Sequence, residues 1–155
     1  MISLIQIEDC QCINPKTSVG QNVSIVLSGK CCNNKKMKLY EPNDSINMLG
    51  IRLEVNGIGL RIYTAHMKQQ STNSRDDIKV QFDEIRTQFR SANNGREPML
   101  LICDSNVHVG GSVISGCDDI QDWGGKELAK LIDDEGLTLI NSLDICTGLV
   151  TRVDP

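Results

Sequence analysis

No apolar run in the sequence approaches the roughly 18 residues that a membrane-crossing helix requires, so no membrane partner is expected. Met1–Ile7 is apolar but short and has no basic flank, which excludes a signal peptide over that segment. Excess positive charge is also missing. At a net charge of −4, the surface is a poor match to a domain that grips nucleic acid by charge alone. Neither G-x-G-x-x-G nor G-x-x-x-x-G-K-[ST] occurs, which removes most nucleotide-fold readings, and the absence of G-x-S-x-G removes the nucleophile elbow. There is no internal repeat and no low-complexity tract. What remains is 155 residues, 39% apolar and 23% charged, the composition of a single globular domain spanning 1–155 with 1–19 unassigned.

Seven cysteines, at 10, 12, 31, 32, 103, 117 and 146, are an odd and scattered set. They read as reduced thiols of an intracellular protein, in cytoplasm or nucleus, with no structural disulfide. Cys10, Cys12, Cys31 and Cys32 together form C-x-C followed by a C-C pair, which is not a standard zinc spacing.

Periodicity places the elements. Asn22–Ser28 alternates apolar and polar residues and predicts a strand, and Gly29–Lys38 predicts a solvated loop before a short strand from Lys38. Met48–Val55 and Ile58–Met67 are β-prone runs joined by Asn56-Gly57, the preferred two-residue hairpin turn. Ile78, Phe82, Ile85 and Phe89 step by 4, 3 and 4, which makes one helical stripe after an N-cap at Ser74 with Asp77 three residues on. Gly125–Glu135 predicts a second helix, with Leu128, Leu131 and Ile132 inward and Gly136 as its stop, followed by a strand over Leu137–Asn141. Hairpins mixed with strand–helix–strand crossovers imply an α+β or layered α/β sandwich with a mixed sheet and flanking helices.

The chemistry gathers around Met99–Gly111. Met99-Leu-Leu-Ile-Cys103 reads as a strand covered on both faces and runs directly into Asp104, Asn106 and His108. In extended backbone, Asp104 and Asn106 point to one side, where a carboxylate and an amide can share a divalent ion and a phosphate oxygen. The same pair also suits a surface loop in which Asp and Asn cap a turn. On the strand before the first helix, Tyr63 and His66 are three apart and must face opposite ways, so only one can face a site.

Met99-Leu-Leu-Ile-Cys-Asp-Ser-Asn-Val-His-Val-Gly110 resembles the "apolar strand, G-D-F-N-A-H, G" signature of the endonuclease/exonuclease/phosphatase superfamily, in the version found in endonuclease domains of non-LTR retrotransposons. Gly124-Gly-Lys-Glu-Leu-Ala-Lys-Leu through Gly136-Leu-Thr-Leu-Ile-Asn141 resembles that family's "N-G-x-x-L-x-x-L" helix and "G-L-x-x-x-N" segment, with Thr151 supplying a following Thr. The strands Asn22–Leu27 and Leu60–Met67 resemble two upstream strands of the family, the second with His66 at its end. The likeness covers about residues 20–155. Cys103 and Ser105 depart from it where the family has Gly and Phe.

The resemblance implies a DNase-like fold and Mg²⁺-dependent phosphodiester hydrolysis with nucleic acid, DNA, as substrate. Asp104 would ligate the metal and orient the attacking water, Asn106 would hold a phosphate oxygen, His66 would contact the scissile phosphate, and His108 would brace the loop. Two other roles stay open: a small-phosphoester or phospholipid phosphodiesterase of the same superfamily, and a non-catalytic interaction module that keeps the fold. The family's metal-binding Glu and its closing Ser-Asp-His have no counterparts in the sequence read, so a partial or inactive copy with weak metal binding is the expectation.

Overall fold

The computed structural model describes residues 10–13, 25–28, 38–40, 47–55, 57–111 and 119–140. Expectations for 1–9, Asn22–Ser24, the 29–37 loop, Asn56, the 112–118 segment, Asn141 and Thr151 lie outside them. The described residues form a small α+β fold with a mixed sheet and two helices. Strands β1 (Cys10–Ile13) and β2 (Ile25–Ser28) pair antiparallel. A four-stranded sheet runs in the order β3 (Lys38–Tyr40), β4 (Met48–Val55), β5 (Ile58–His66) and β6 (Met99–Asp104). Its first two pairings are antiparallel, and β5–β6 is parallel. Helices α1 (Arg75–Asn94) and α2 (Trp123–Glu135) complete the set, and neither is long and apolar enough to cross a membrane. The chain divides into two compact units, Met1–Met67 with Ser91–Ser105, and Lys68–Arg90 with Asn106–Pro155.

In the first unit the hairpin forms where Asn56-Gly57 predicts it. Val55 pairs with Ile58, and Gly57 takes a φ of 81°. Side chains along β5 alternate between faces, burying Arg61, Tyr63 and Ala65 on one side and leaving Ile62, Thr64 and His66 half-buried on the other. Tyr63 is fully enclosed, so His66 is the member of that pair left for chemistry.

One expectation for β6 fails. Among the described residues it is the outermost strand of its sheet and not an interior one, and Leu100, Leu101 and Cys103 are half-buried and Ile102 57% exposed, so the run is not fully buried. A short apolar run bounded by turn residues does not by itself separate a central strand from an edge strand.

The second unit is built on the two helices. Ser74 and Asp77 form the expected capping box: Ser74 Oγ accepts from the Asp77 N–H at 3.2 Å, and the Asp77 carboxylate accepts from the Ser74 N–H at 3.3 Å. Those Ser74 hydrogen bonds, and then Lys68, hold the Asp77 carboxyl below its ordinary pKa. Ile78, Phe82, Ile85 and Phe89 are all buried, which confirms the stripe. Gln81 is buried beside them, and its carbonyl accepts from the Lys68 N–H at 2.9 Å, so the polar group is satisfied.

Helix α2 starts two residues before Gly125, because Asp122 is its N-cap and accepts from the Gly125 N–H. Its end differs more from expectation. Gly136 sits at φ 60° and donates to Asp133 O, while Leu137 N–H reaches back to Ile132 O at 2.9 Å. This paired closure takes up the backbone that a strand over Leu137–Asn141 would need, and 137–140 form no strand.

Candidate functional site

The parallel register sets His66 opposite Asp104 at the carboxyl ends of β5 and β6. Residues opposite one another in a parallel pair share a face, so both side chains stand on the half-open side of the sheet. The ends are stitched by backbone bonds: Met67 N–H donates to Asp104 O and His66 N–H to Asn47 O, each at 2.9 Å. His66 Nε2 lies 3.9 Å from Asp104 Oδ2, with the side chains 34% and 67% exposed. That separation is too long for a direct hydrogen bond. In bulk-water dielectric, a charged pair at such a distance gains only about 1 kcal/mol, so the contact contributes little to stability. The carboxyl ends of parallel strands are where layered folds place ligands. Thr64, two residues back on the same face, has a buried hydroxyl with no hydrogen-bond partner among the described residues.

Asn106 does not continue the strand. β6 ends at Asp104, and Asn106 takes φ 50°, a left-handed conformation. The expectation of an extended backbone over 104–106 is therefore overturned. Asn is among the few residues that adopt this conformation at small cost, because its amide can bond locally. Asn106 belongs to the second unit, whereas His66 and Asp104 belong to the first.

The loop that follows is tied down through its backbone. Asp122 Oδ2 accepts from the His108 N–H at 2.9 Å, and the Asp122 N–H donates to His108 O at 3.1 Å. Gln121 Nε2 donates to Val109 O at 3.0 Å, and Gln70 Oε1 accepts from the Gly124 N–H at 3.0 Å. A Cβ on Gly125 would lie 1.8 Å from His108 O, so only glycine lets the loop approach the helix this closely. Burial pushes the Asp122 carboxyl up. Hydrogen bonds from Gln70, Gly125 and His108 and the nearby His108 charge outweigh it, and the net pKa is lowered. His108 is thus tied into the loop through its backbone N–H and carbonyl.

Three features escaped the sequence reading: the Asp122 clamp, a salt-bridge hub and the raised pKa of the Cys103 thiol, whose free state was expected. In the hub, Glu97 accepts from Arg52 Nε and from Arg61 Nε, each at 2.7 Å, and Arg61 Nη1 donates to Ser91 Oγ at 3.0 Å. Arg52 and Arg61 are directly opposite on β4 and β5, so the Glu97 carboxylate relieves a like-charge pair. Its pKa is held down by the Arg52 bond first and the Arg61 bond second. The hub is structural. It joins the start of β6 to β5, and the His66–Asp104 register follows from it five residues on. Desolvation, followed by the neighbouring Asp104 charge, pushes the free Cys103 thiol up to about 12, so it stays protonated.

Among the described residues, no group of three His, Cys, Asp or Glu side chains could hold a metal ion. Asp104 nevertheless fits the hard, oxygen-seeking chemistry of Mg²⁺, which commonly takes one or two carboxylates and keeps several waters or phosphate oxygens. No protein-family model matches this chain, and no curated protein matches it.

Proposed function

We propose that this chain carries a phosphodiester-hydrolysing site of the DNase-like, Mg²⁺-dependent type, with nucleic acid as its substrate. The observation that supports it most is the cross-strand placement of His66 and Asp104, 3.9 Å apart, on adjacent parallel strand ends. The sequence Asp104-Ser-Asn106-Val-His108 leaving that strand resembles the superfamily's signature.

Asp104 accepts a hydrogen bond from the attacking water and takes its proton as the water oxygen bonds to phosphorus, while the P–O bond to the leaving oxygen breaks and that oxygen takes a proton from solvent. It is also the residue that would take the metal, which when bound supplies charge neutralisation at the phosphate. His66, when protonated, donates to a non-bridging phosphate oxygen. By the resemblance alone, Asn106, two residues beyond Asp104 in the sequence, would be the donor to the oxygen on which charge develops, a role worth roughly 3–4 kcal/mol where such donors have been removed. Cys103 plays no nucleophilic part, because its thiol is protonated at neutral pH.

The test is nicking of supercoiled plasmid by the purified protein with Mg²⁺, with chelator, and with Asp104→Asn and His66→Ala variants. Nicking that needs Mg²⁺ and falls at least 10²-fold in Asp104→Asn carries the reading. The net charge of −4 favours one second reading, a non-catalytic module that keeps the fold, and absence of nicking at any Mg²⁺ concentration selects it.

A further inference from the structure

We propose that Asp122 is a positioning residue for Asn106. It holds the loop that presents the Asn106 amide, and this role rests on the phosphodiesterase reading above.

The two oxygens of one carboxylate do different work. Oδ1 caps α2 by accepting from the Gly125 N–H at 2.6 Å, and Oδ2 accepts from the His108 N–H at 2.9 Å. The backbone closes the same ring, because the Asp122 N–H donates to His108 O at 3.1 Å. His108 is two residues beyond Asn106, so its peptide is fixed on both its donor and acceptor sides within one short turn of the functional side chain. A helix cap alone does not call for this arrangement, since Ser or Asn satisfies the Gly125 N–H equally well. Only a group with two acceptor oxygens reaches both N–H groups at once.

Other contacts point the same way. Gln70 takes up the Gly124 N–H at 3.0 Å, and Gln121 holds Val109 O at 3.0 Å. Gly125 leaves no room for a Cβ between the helix and His108 O. The loop is thus held from several sides at His108 and Val109, and Asn106 enters it in a left-handed conformation. A positioned donor misplaced by about 1 Å can lose roughly 10²-fold in rate, so a clamp two residues away is set to matter.

The test is a double-mutant cycle on the whole chain with Asp122→Asn, Asn106→Ala and the pair, read by Mg²⁺-dependent plasmid nicking and by amide hydrogen exchange. Asp122→Asn keeps the cap and replaces one acceptor oxygen with an NH₂ group. Asp122→Ser serves the same end if the amide variant folds poorly. The expected result is a loss of roughly 10-fold or more in rate for Asp122→Asn, shrinking to less than about twofold in the Asn106→Ala background. Exchange at the His108 amide should quicken at least 10-fold, while the amide of Leu131 in α2 keeps its protection. A purely structural role would lower the rate by the same factor in both backgrounds, and that result overturns the proposal. Unchanged exchange at His108 in Asp122→Asn overturns it whatever the nicking shows. Loss of His108 protection in a protein that never nicks DNA upholds the clamp and removes only the phosphodiesterase reading.

Discussion

Removing Glu97 should loosen the register on which the strand-end pair depends. The carboxylate accepts from two guanidiniums, with N···O contacts of 2.6 and 2.7 Å to Arg52 and 2.7 Å to Arg61. The Arg52, Arg61 and Glu97 side chains are 27%, 10% and 15% exposed, so the hub is mostly but not wholly screened from water. A charge-assisted hydrogen bond contributes about 1.5–3 kcal/mol. Taking the Arg61 contact near the middle of that range and the wetter Arg52 side at about half of it gives roughly 3 kcal/mol for Glu97→Ala. Glu97→Gln preserves volume and one acceptor, and should cost about 2 kcal/mol. For a chain of this length, 3 kcal/mol corresponds to a fall in Tm of roughly 6–12 °C.

Urea unfolding at neutral pH measures the loss as a lower midpoint with an unchanged slope. The pH dependence supplies the sign. Glu97 has a folded pKa below its ordinary 4.5, so its contribution is present above pH 4.5 and is lost as the pH falls through the lower folded value. The gap between wild type and Glu97→Gln should therefore be full above pH 4.5 and close as the pH falls through the lower folded value. A Glu97→Ala variant within about 0.5 kcal/mol of wild type at pH 7 would refute the hub, as would a Glu97→Gln gap that does not narrow on acidification below pH 4.5.

Asn106→Ala should cost about 1 kcal/mol more than Asn106→Gly in thermal melts, because Asn106 sits at φ 50°, yet the two variants should lose nicking equally. Gly125→Ala should destabilise by about 2 kcal/mol despite alanine's better helix propensity, since its Cβ would meet His108 O at 1.8 Å; a stabilised variant would show that the loop yields freely. Mass mapping of alkylation at pH 8 should find Cys103 labelled roughly 10²–10³-fold more slowly in the native protein than after denaturation, in keeping with a thiol raised from 9.0 to about 12. Equal rates would contradict that burial.

Local signals were legible wherever one residue type answers one backbone demand. Asn56-Gly57 fixed the hairpin, the 4-3-4 apolar steps fixed α1, and Ser74 with Asp77 marked its start, all within a few residues of sequence. Arg52 and Arg61 lie symmetrically about that turn, so their confrontation was readable in principle. The relief comes from Glu97, 36 residues beyond Arg61, and no local pattern announces it. The outer position of β6 among the described strands was illegible for a related reason, since neighbours across a sheet are set by topology and apolar content is the same in either place. Leu137–Asn141 misled because its apolar character resembles a strand, whereas Gly136 lets the Leu137 N–H close the helix instead. At the site, Asp104 and His66 fell where their positions suggested. Asn106 did not, because alternation holds only while the backbone is extended, and the strand had already ended.

Asp104, beside His66, is the carboxylate proposed to meet a divalent ion. Mn²⁺ can stand in for Mg²⁺, and its paramagnetism broadens NMR signals close to it whether or not the chain turns over substrate. Titrating Mn²⁺ into labelled protein should first broaden the His66 ring protons and the Asp104 amide. Excess Mg²⁺ should restore both signals, and Asp104→Asn should abolish the effect. Broadening that begins elsewhere, or that survives Asp104→Asn unchanged, would contradict the account.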